Sequence, residues 1–122
     1  MQSSIYEDIT ETEKQVALYL QDLGFWWVYE SPVFVYDDKN RPRVWTPDFY
    51  LPTLGMYVEV WGSEYKSHAY REEVYKKNGY HVVFVHCFGA KKWRDFLVKR
   101  IMAIEDARHS EIMKMFRTLR FE

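Results

Sequence analysis

The sequence predicts a single α/β domain, and three observations carry that prediction. Apolar residues recur at helical spacing near the start of the chain, β-branched and aromatic runs punctuated by turn residues follow, and the run 80–88 is almost uniformly apolar between two further helical patterns. The predicted order is helix, three strands, helix, strand, helix. At 122 residues the chain is long enough for one core that buries roughly two thirds of the unfolded surface. An aromatic fraction of 19% fits a packed domain, with no repeat, linker or low-complexity stretch to divide it.

Residues Ser3 to Ile9 read as a lead-in. Thr10 with Glu13 three positions on forms a capping box, and Val16, Ala17, Leu20 and Leu23 make a helical stripe that Gly24 ends. Phe25 to Glu30 and Val33 to Tyr36 read as a strand or bent strand pair interrupted at Ser31-Pro32. Asp37 to Pro42 is a polar turn whose chemistry accounts for Asp37 and Asp38 as solvated loop residues. Arg43 to Leu51 and Met56 to Trp61 are the two central strands, joined through Pro52 and Gly55.

Ser63 to Asn78 then reads as a helix with Ala69, Tyr70, Val74 and Tyr75 as its packed positions, and Gly79 terminates it. Tyr80 to Phe88 is a strand covered on both faces. A helical pattern over about 91–120 carries Trp93, Phe96, Leu97, Ile101, Ile104, Ile112, Met115, Phe116 and Leu119. Its spacing loosens around Asp106 to Ser110, which allows a break into two helices.

Glu59 is the residue to explain. In a strand Tyr57, Glu59 and Trp61 share one face and Val58 and Val60 the other, so a carboxylate stands within a strongly apolar strand. Burying it is costly unless it is paired, protonated or bound to a cation. Asp48, predicted to end the preceding strand, brings a second carboxylate to the same hairpin. A divalent cation would relieve the repulsion and lower the pKa of a bound water, and hard oxygen donors favour magnesium or manganese. The plainer alternative has Asp48 capping a strand or turn and Glu59 paired with an arginine.

Pro47-Asp48, a short gap and then Glu59-Val60-Trp61-Gly62 resembles the PD-(D/E)XK signature of the restriction-endonuclease-like nuclease superfamily, which includes archaeal Holliday-junction resolvases and very-short-patch-repair-type endonucleases. The resemblance spans the core, about 10–100, and leaves the C-terminal helix as an extension. It implies that Asp48 and Glu59 ligate magnesium with the carbonyl of Val60, that Glu13 on the first helix binds or orients a second metal or its water, and that cleavage leaves a 5′-phosphate and a 3′-hydroxyl. Glu13 keeps its capping role as an equal alternative. The family's lysine, two residues after the glutamate, is replaced here by Trp61. Lys66, or Arg71 on the second helix, is the substitute the resemblance suggests, with Lys76 and Lys77 nearby as nucleic-acid contacts. A surface role is the alternative for each. Trp61 itself reads either as core or as a stacking surface for a base.

Other chemistries find little support. His81 and His86 fall on opposite faces of their strand, while His68 and His109 are isolated, so no zinc spacing appears. There is no phosphate-binding glycine loop and no nucleophile elbow. The single cysteine, Cys87, reads as a core residue and excludes an internal disulfide. Residues 1–64 carry 11 acidic and 4 basic side chains, residues 65–122 carry 7 and 13, and this asymmetry suits a metal site beside a phosphate-binding half. No apolar run reaches membrane-spanning length and Met1-Gln2-Ser3-Ser4 does not read as a signal peptide, so the expectation is a cytoplasmic protein.

The expected function is a magnesium-dependent DNA endonuclease acting on junction, repair or recombination substrates. The alternatives are a nuclease-fold protein that binds DNA without cutting it, and a structural or assembly protein that dimerises through its C-terminal helix.

Overall fold

The computed structural model describes residues 9–61, 68–87 and 92–120. Its elements are α1 (Glu11–Asp22), β1 (Val28–Tyr29), β2 (Val33–Tyr36), β3 (Pro42–Trp45), β4 (Phe49–Leu51), β5 (Met56–Trp61), α2 (Ala69–Lys77), β6 (Val82–His86) and α3 (Trp93–Arg120). The α/β class is as predicted. Four strands form a mixed sheet in the order β1-β4-β5-β6, antiparallel up to β5 and parallel between β5 and β6. A parallel pair needs a crossover, and α2 supplies it. Strands β2 and β3 form a separate antiparallel hairpin.

Two apolar clusters follow from strand alternation. On one face Met56 and Val58 of β5, with Phe49, Leu51, Val83 and Val85, pack against Val16, Ala17 and Leu20 of α1 and Trp93, Leu97 and Ile101 of α3. On the other, Val82 and Phe84, flanked by Tyr57 and Trp61, meet Val74 and Tyr75 of α2 and Val33, Val35 and Trp45 of the hairpin. The turn between β4 and β5 closes with Gly55 N–H donating to the Leu51 carbonyl over 2.8 Å. Gly55 has φ +63°, where a side chain is strained, and a Cβ there would lie 3.3 Å from Arg108 of α3.

Several expectations are corrected. Arg43 to Leu51 is not one strand: Trp45 ends β3 in the hairpin and Phe49 begins β4 in the sheet. Pro47 lacks an N–H and restricts the residue before it, so the ladder breaks there and Asp48 precedes β4 instead of ending a strand. Only Val28–Tyr29 of the run 25–30 pairs, and Glu30 at φ 55° turns the chain away. Among the described residues five strands therefore precede α2, where three were predicted. The stripe residue Leu23 is the α1 C-cap and is exposed. On α2, Val74 and Tyr75 are buried whereas Ala69 and Tyr70 are exposed. α3 runs unbroken through 106–110. The start of the predicted helix 63–78, the lead-in 3–8 and Lys66 lie outside the described residues. Among the described residues no helix is long and apolar enough to cross a membrane.

Asp37 is also corrected, because it is buried and not a solvated loop residue. Its Oδ1 accepts from the N–H groups of Lys39 and Arg41, each over 2.9 Å, and its Oδ2 accepts from the Nε atoms of Arg41 (2.9 Å) and Arg43 (3.3 Å). Donation from the Arg41 backbone, then from Lys39 and the two guanidinium groups, outweighs burial and holds its carboxyl well below the usual carboxylate range. A depressed folded pKa stabilises above the unfolded value of about 3.9 and is lost as pH falls below it. Amide chemical shifts of the β2–β3 hairpin, followed from pH 6 to pH 2, are expected to move towards disordered values at the acid end. Asp37→Ala is expected to show that disorder already at pH 6.

Candidate active site

Continuing the β4–β5 register by one residue beyond Phe49↔Val58 sets Asp48 opposite Glu59. The pair is tied through the backbone, with Val60 N–H donating to Asp48 Oδ2 over 2.7 Å. Glu30 N–H donates to the Asp48 carbonyl over 2.8 Å and brings the end of β1 alongside. From α1, Glu13 extends to the same place: its N–H donates to Thr10 Oγ1 as the cap requires, while its Oε2 accepts from the Tyr29 hydroxyl over 2.7 Å. Thr10 is thus the N-cap, but the Glu13 carboxylate, which a capping box would turn back to the Thr10 N–H, is bonded to Tyr29 instead, so the side chain belongs to this site and not to the cap.

These placements load Asp48 with negative neighbours. Burial raises its carboxyl, Val60 N–H opposes the rise, and the charges of Glu13, Glu59 and Glu30 add to it, so the group is pushed up to about 7. Tyr29 is driven upward as well, by burial and then by Glu13.

Glu59 is treated differently. It is 5% exposed, and its Oε1 accepts from Arg71 Nη2 and from the Tyr75 hydroxyl, each over 2.7 Å. Its Oε2 accepts a longer bond, 3.3 Å, from Trp61 Nε1. Arg71 also donates from Nη2 to the Tyr75 hydroxyl over 3.2 Å, and its guanidinium lies 4.4 Å from the centre of the Trp45 ring. Arg71 Nε is buried with no hydrogen-bond partner among the described residues. The arginine partner that the plainer reading gave to Glu59 is therefore present, and it is Arg71.

Of the remaining predicted residues, Trp61 is half-buried in the second cluster, with its ring centre 5.3 Å from His86 and 6.3 Å from Phe84, which is core packing. Lys76 is exposed on α2. Lys77 Nζ is committed to the hairpin turn, donating to the Asp37 carbonyl (2.7 Å) and Asn40 Oδ1 (2.6 Å). Among the described residues no group of three or more His, Cys, Asp or Glu side chains is gathered closely enough to hold a metal ion.

Sequence reasoning missed several neighbours. Tyr75 stands four residues after Arg71 on one helix face, a spacing that could have flagged it. His68 is not isolated: its Nδ1 lies 2.6 Å from His86 Nε2, its ring stacks on Phe84 and its Nε2 lies 3.3 Å from Glu72 Oε2. No sequence spacing announces His68 and His86, because the parallel strand and the helix start bring them together only in the fold. Cys87 is half-buried, and burial pushes its thiol up to about 11. Comparison with protein-family models, curated proteins and solved structures found no match for the chain.

Two outcomes follow from this asymmetry. Because the Asp48 carboxyl is raised, the folded state holds a proton that the unfolded state has released between about pH 4 and pH 7, so stability falls as pH rises through that window. Asp48→Asn keeps the acceptor for Val60 N–H and removes the charge; it is expected to be more stable than wild type by about 1–3 kcal/mol at pH 8, with the gain vanishing towards pH 4, in urea titrations. Tyr75→Phe removes a buried donor from Glu59 and is expected to cost about 1–2 kcal/mol at any pH in that range.

Proposed function

We propose that this chain is a divalent-metal-dependent DNA endonuclease with a restriction-endonuclease-like core. The observation that carries the proposal is the pairing of Asp48 and Glu59 across the two central strands, with Glu13 and Glu30 brought to the same end of the sheet. The element order supports it. An amphipathic helix, three antiparallel strands, a crossover helix and a parallel strand agree with the core that the motif implies, once β2–β3 is taken as an inserted hairpin.

The donors fit a hard cation. Asp48, Glu59 and the Val60 carbonyl offer oxygen only, and a dication offsets the repulsion that Asp48 meets from three carboxylates. Glu59 keeps acceptor capacity on Oε2, which among the described residues meets only the long Trp61 bond. When bound, the metal would polarise the phosphodiester and acidify a water. Arg71, beside Glu59 and always cationic, would stabilise charge building on the phosphate and could not serve as a base. Glu13 would orient water or a second cation. Lys66 and Lys76 remain candidates for backbone phosphate contacts.

A second reading is a nuclease-fold protein that grips DNA without cutting it. One observation favours it: Glu59 already has its charge met by Arg71 and Tyr75. Labelled duplex, single-stranded and four-way-junction DNA, incubated in magnesium and then in manganese, separates the two. The wild type is expected to cut at least one substrate, with Asp48→Ala and Glu59→Ala each slower by about 100-fold or more. Retention of junction DNA in a gel shift with no cleavage in either metal would establish the binding protein instead. Independently of turnover, 10 mM magnesium at pH 8 is expected to raise the stability of the wild type by about 1.4 kcal/mol, for a dissociation constant near ~1 mM, and to leave Asp48→Asn unchanged.

A further inference from the structure

β6 is one edge of the four-stranded sheet. The His81 carbonyl accepts from Tyr57 N–H, and Cys87 N–H donates to the Trp61 carbonyl, so the odd-numbered residues of this stretch turn their backbone towards β5. Val82, Phe84 and His86 therefore turn theirs outward. Among the described residues nothing bonds to the outward N–H and C=O groups of Val82 and Phe84, although both side chains are buried. Sheet edges are ordinarily blunted by a lysine, a proline or a bulge, because unpaired backbone groups in a row are a template for another strand. Val82–His86 reads VVFVH, pairs with β5 in unbroken register, and has none of these devices.

The two helices beside this edge leave a slot over it. Phe96 of α3 bounds one cavity there, and Lys76 of α2 with Ile104 of α3 bounds the next. Val82, Phe84 and Arg100 line both, so the two are continuous along the strand. The floor is backbone and the walls are helices, and that shape selects the occupant. A second copy would carry its own β6 recessed between its own helices, which would collide with these walls before the strands met. A nucleic-acid strand would set phosphates against the outward carbonyls. A single extended peptide matches donors and acceptors that recur at every second residue. The charges add a preference: Lys76 and Arg100 face the slot from opposite walls, and neither side chain has an ion pair or hydrogen bond among the described residues. Glu72, on the α2 wall, is taken up by His68 Nε2 at 3.3 Å, so the two cations are left for acidic groups of the occupant.

We propose that the outer edge of β6 is a docking site for an extended acidic segment of a partner protein, which adds a strand to the sheet beside Val82 and Phe84. Adjacent residues of a strand point to opposite sides, so two consecutive carboxylates in that segment reach Lys76 on one wall and Arg100 on the other. The docking does not depend on the nuclease reading, and its test uses no cleavage. The probe is a fluorescein-labelled peptide with two consecutive glutamates flanked by threonine–valine repeats. Fluorescence anisotropy with the full chain at neutral pH is expected to give a dissociation constant near ~50 µM. The same peptide with two lysines, or with every backbone amide N-methylated, is expected to bind at least ~10-fold more weakly. Arg100→Glu is expected to abolish the preference for glutamate over lysine.

Strand addition is read on the wild type by amide hydrogen exchange, so it stands even if Arg100→Glu fails to fold. With the peptide at saturation, the Val82 and Phe84 amides are expected to exchange at least ~10-fold more slowly, while those of Val83 and Val85, already turned towards β5, should not change. No binding of the two-glutamate peptide at about 1 mM overturns the proposal. So does binding that leaves the Val82 and Phe84 amides as they were. Slowing of those amides with rising protein concentration and no peptide would assign the edge to a second copy, and slowing by a single-stranded oligonucleotide but not by the peptide would assign it to nucleic acid; either result overturns the proposal.

Discussion

The structure depends on one constraint, a carboxylate buried in the middle of a central strand. Glu59 on β5 is surrounded by the second apolar cluster, and α2 brings Arg71 and Tyr75 to its Oε1 as hydrogen-bond donors. That requirement fixes the helix against the sheet more specifically than Val74 packing could. It also orders the hairpin, because Trp45 of β3 lies under the same guanidinium and edge-on to Tyr75 at 5.1 Å. The hairpin is held from its other end by Asp37 and by Asn78, whose side chain both accepts from Tyr36 N–H and donates to its carbonyl.

Asp48 is the counterpart. It shares the hairpin with Glu59 and has one backbone donor, but no cationic side chain is bonded to it among the described residues. The two carboxylates are thus divided between a satisfied member and a loaded one. A divalent ion added to this arrangement meets a partly desolvated carboxyl with three acidic neighbours, and its attraction for the ionised form opposes the burial and repulsion that raise Asp48.

Much of the site was legible before the fold was known, for local reasons. Period-two alternation located Glu59 on the face of Tyr57 and Trp61, and the N-cap at Thr10 placed Glu13 in the first turn of α1, both of which hold. What escaped the sequence was long-range. The run from Arg43 to Leu51 is apolar enough to read as one strand, and only pairing shows that its halves belong to different sheets separated at Pro47. Asp37 reads as an ordinary turn residue because its burial depends on the hairpin closing Arg41 and Arg43, four and six residues on, over its carboxylate, which turn composition alone does not show. The His68–His86 approach and the Tyr75 bond to Glu59 have sequence separations of 18 and 16 residues and depend on the crossover itself.

The central claim is that the end of the β4–β5 hairpin is a carboxylate site built to receive a cation, and the most direct measurement is the titration of Asp48 itself by carbon-detected NMR, with and without magnesium. The account predicts an apparent pKa near 7 in the free protein that falls below about 5 when magnesium is added. A carboxyl that titrates near 4 and does not respond to magnesium would contradict it.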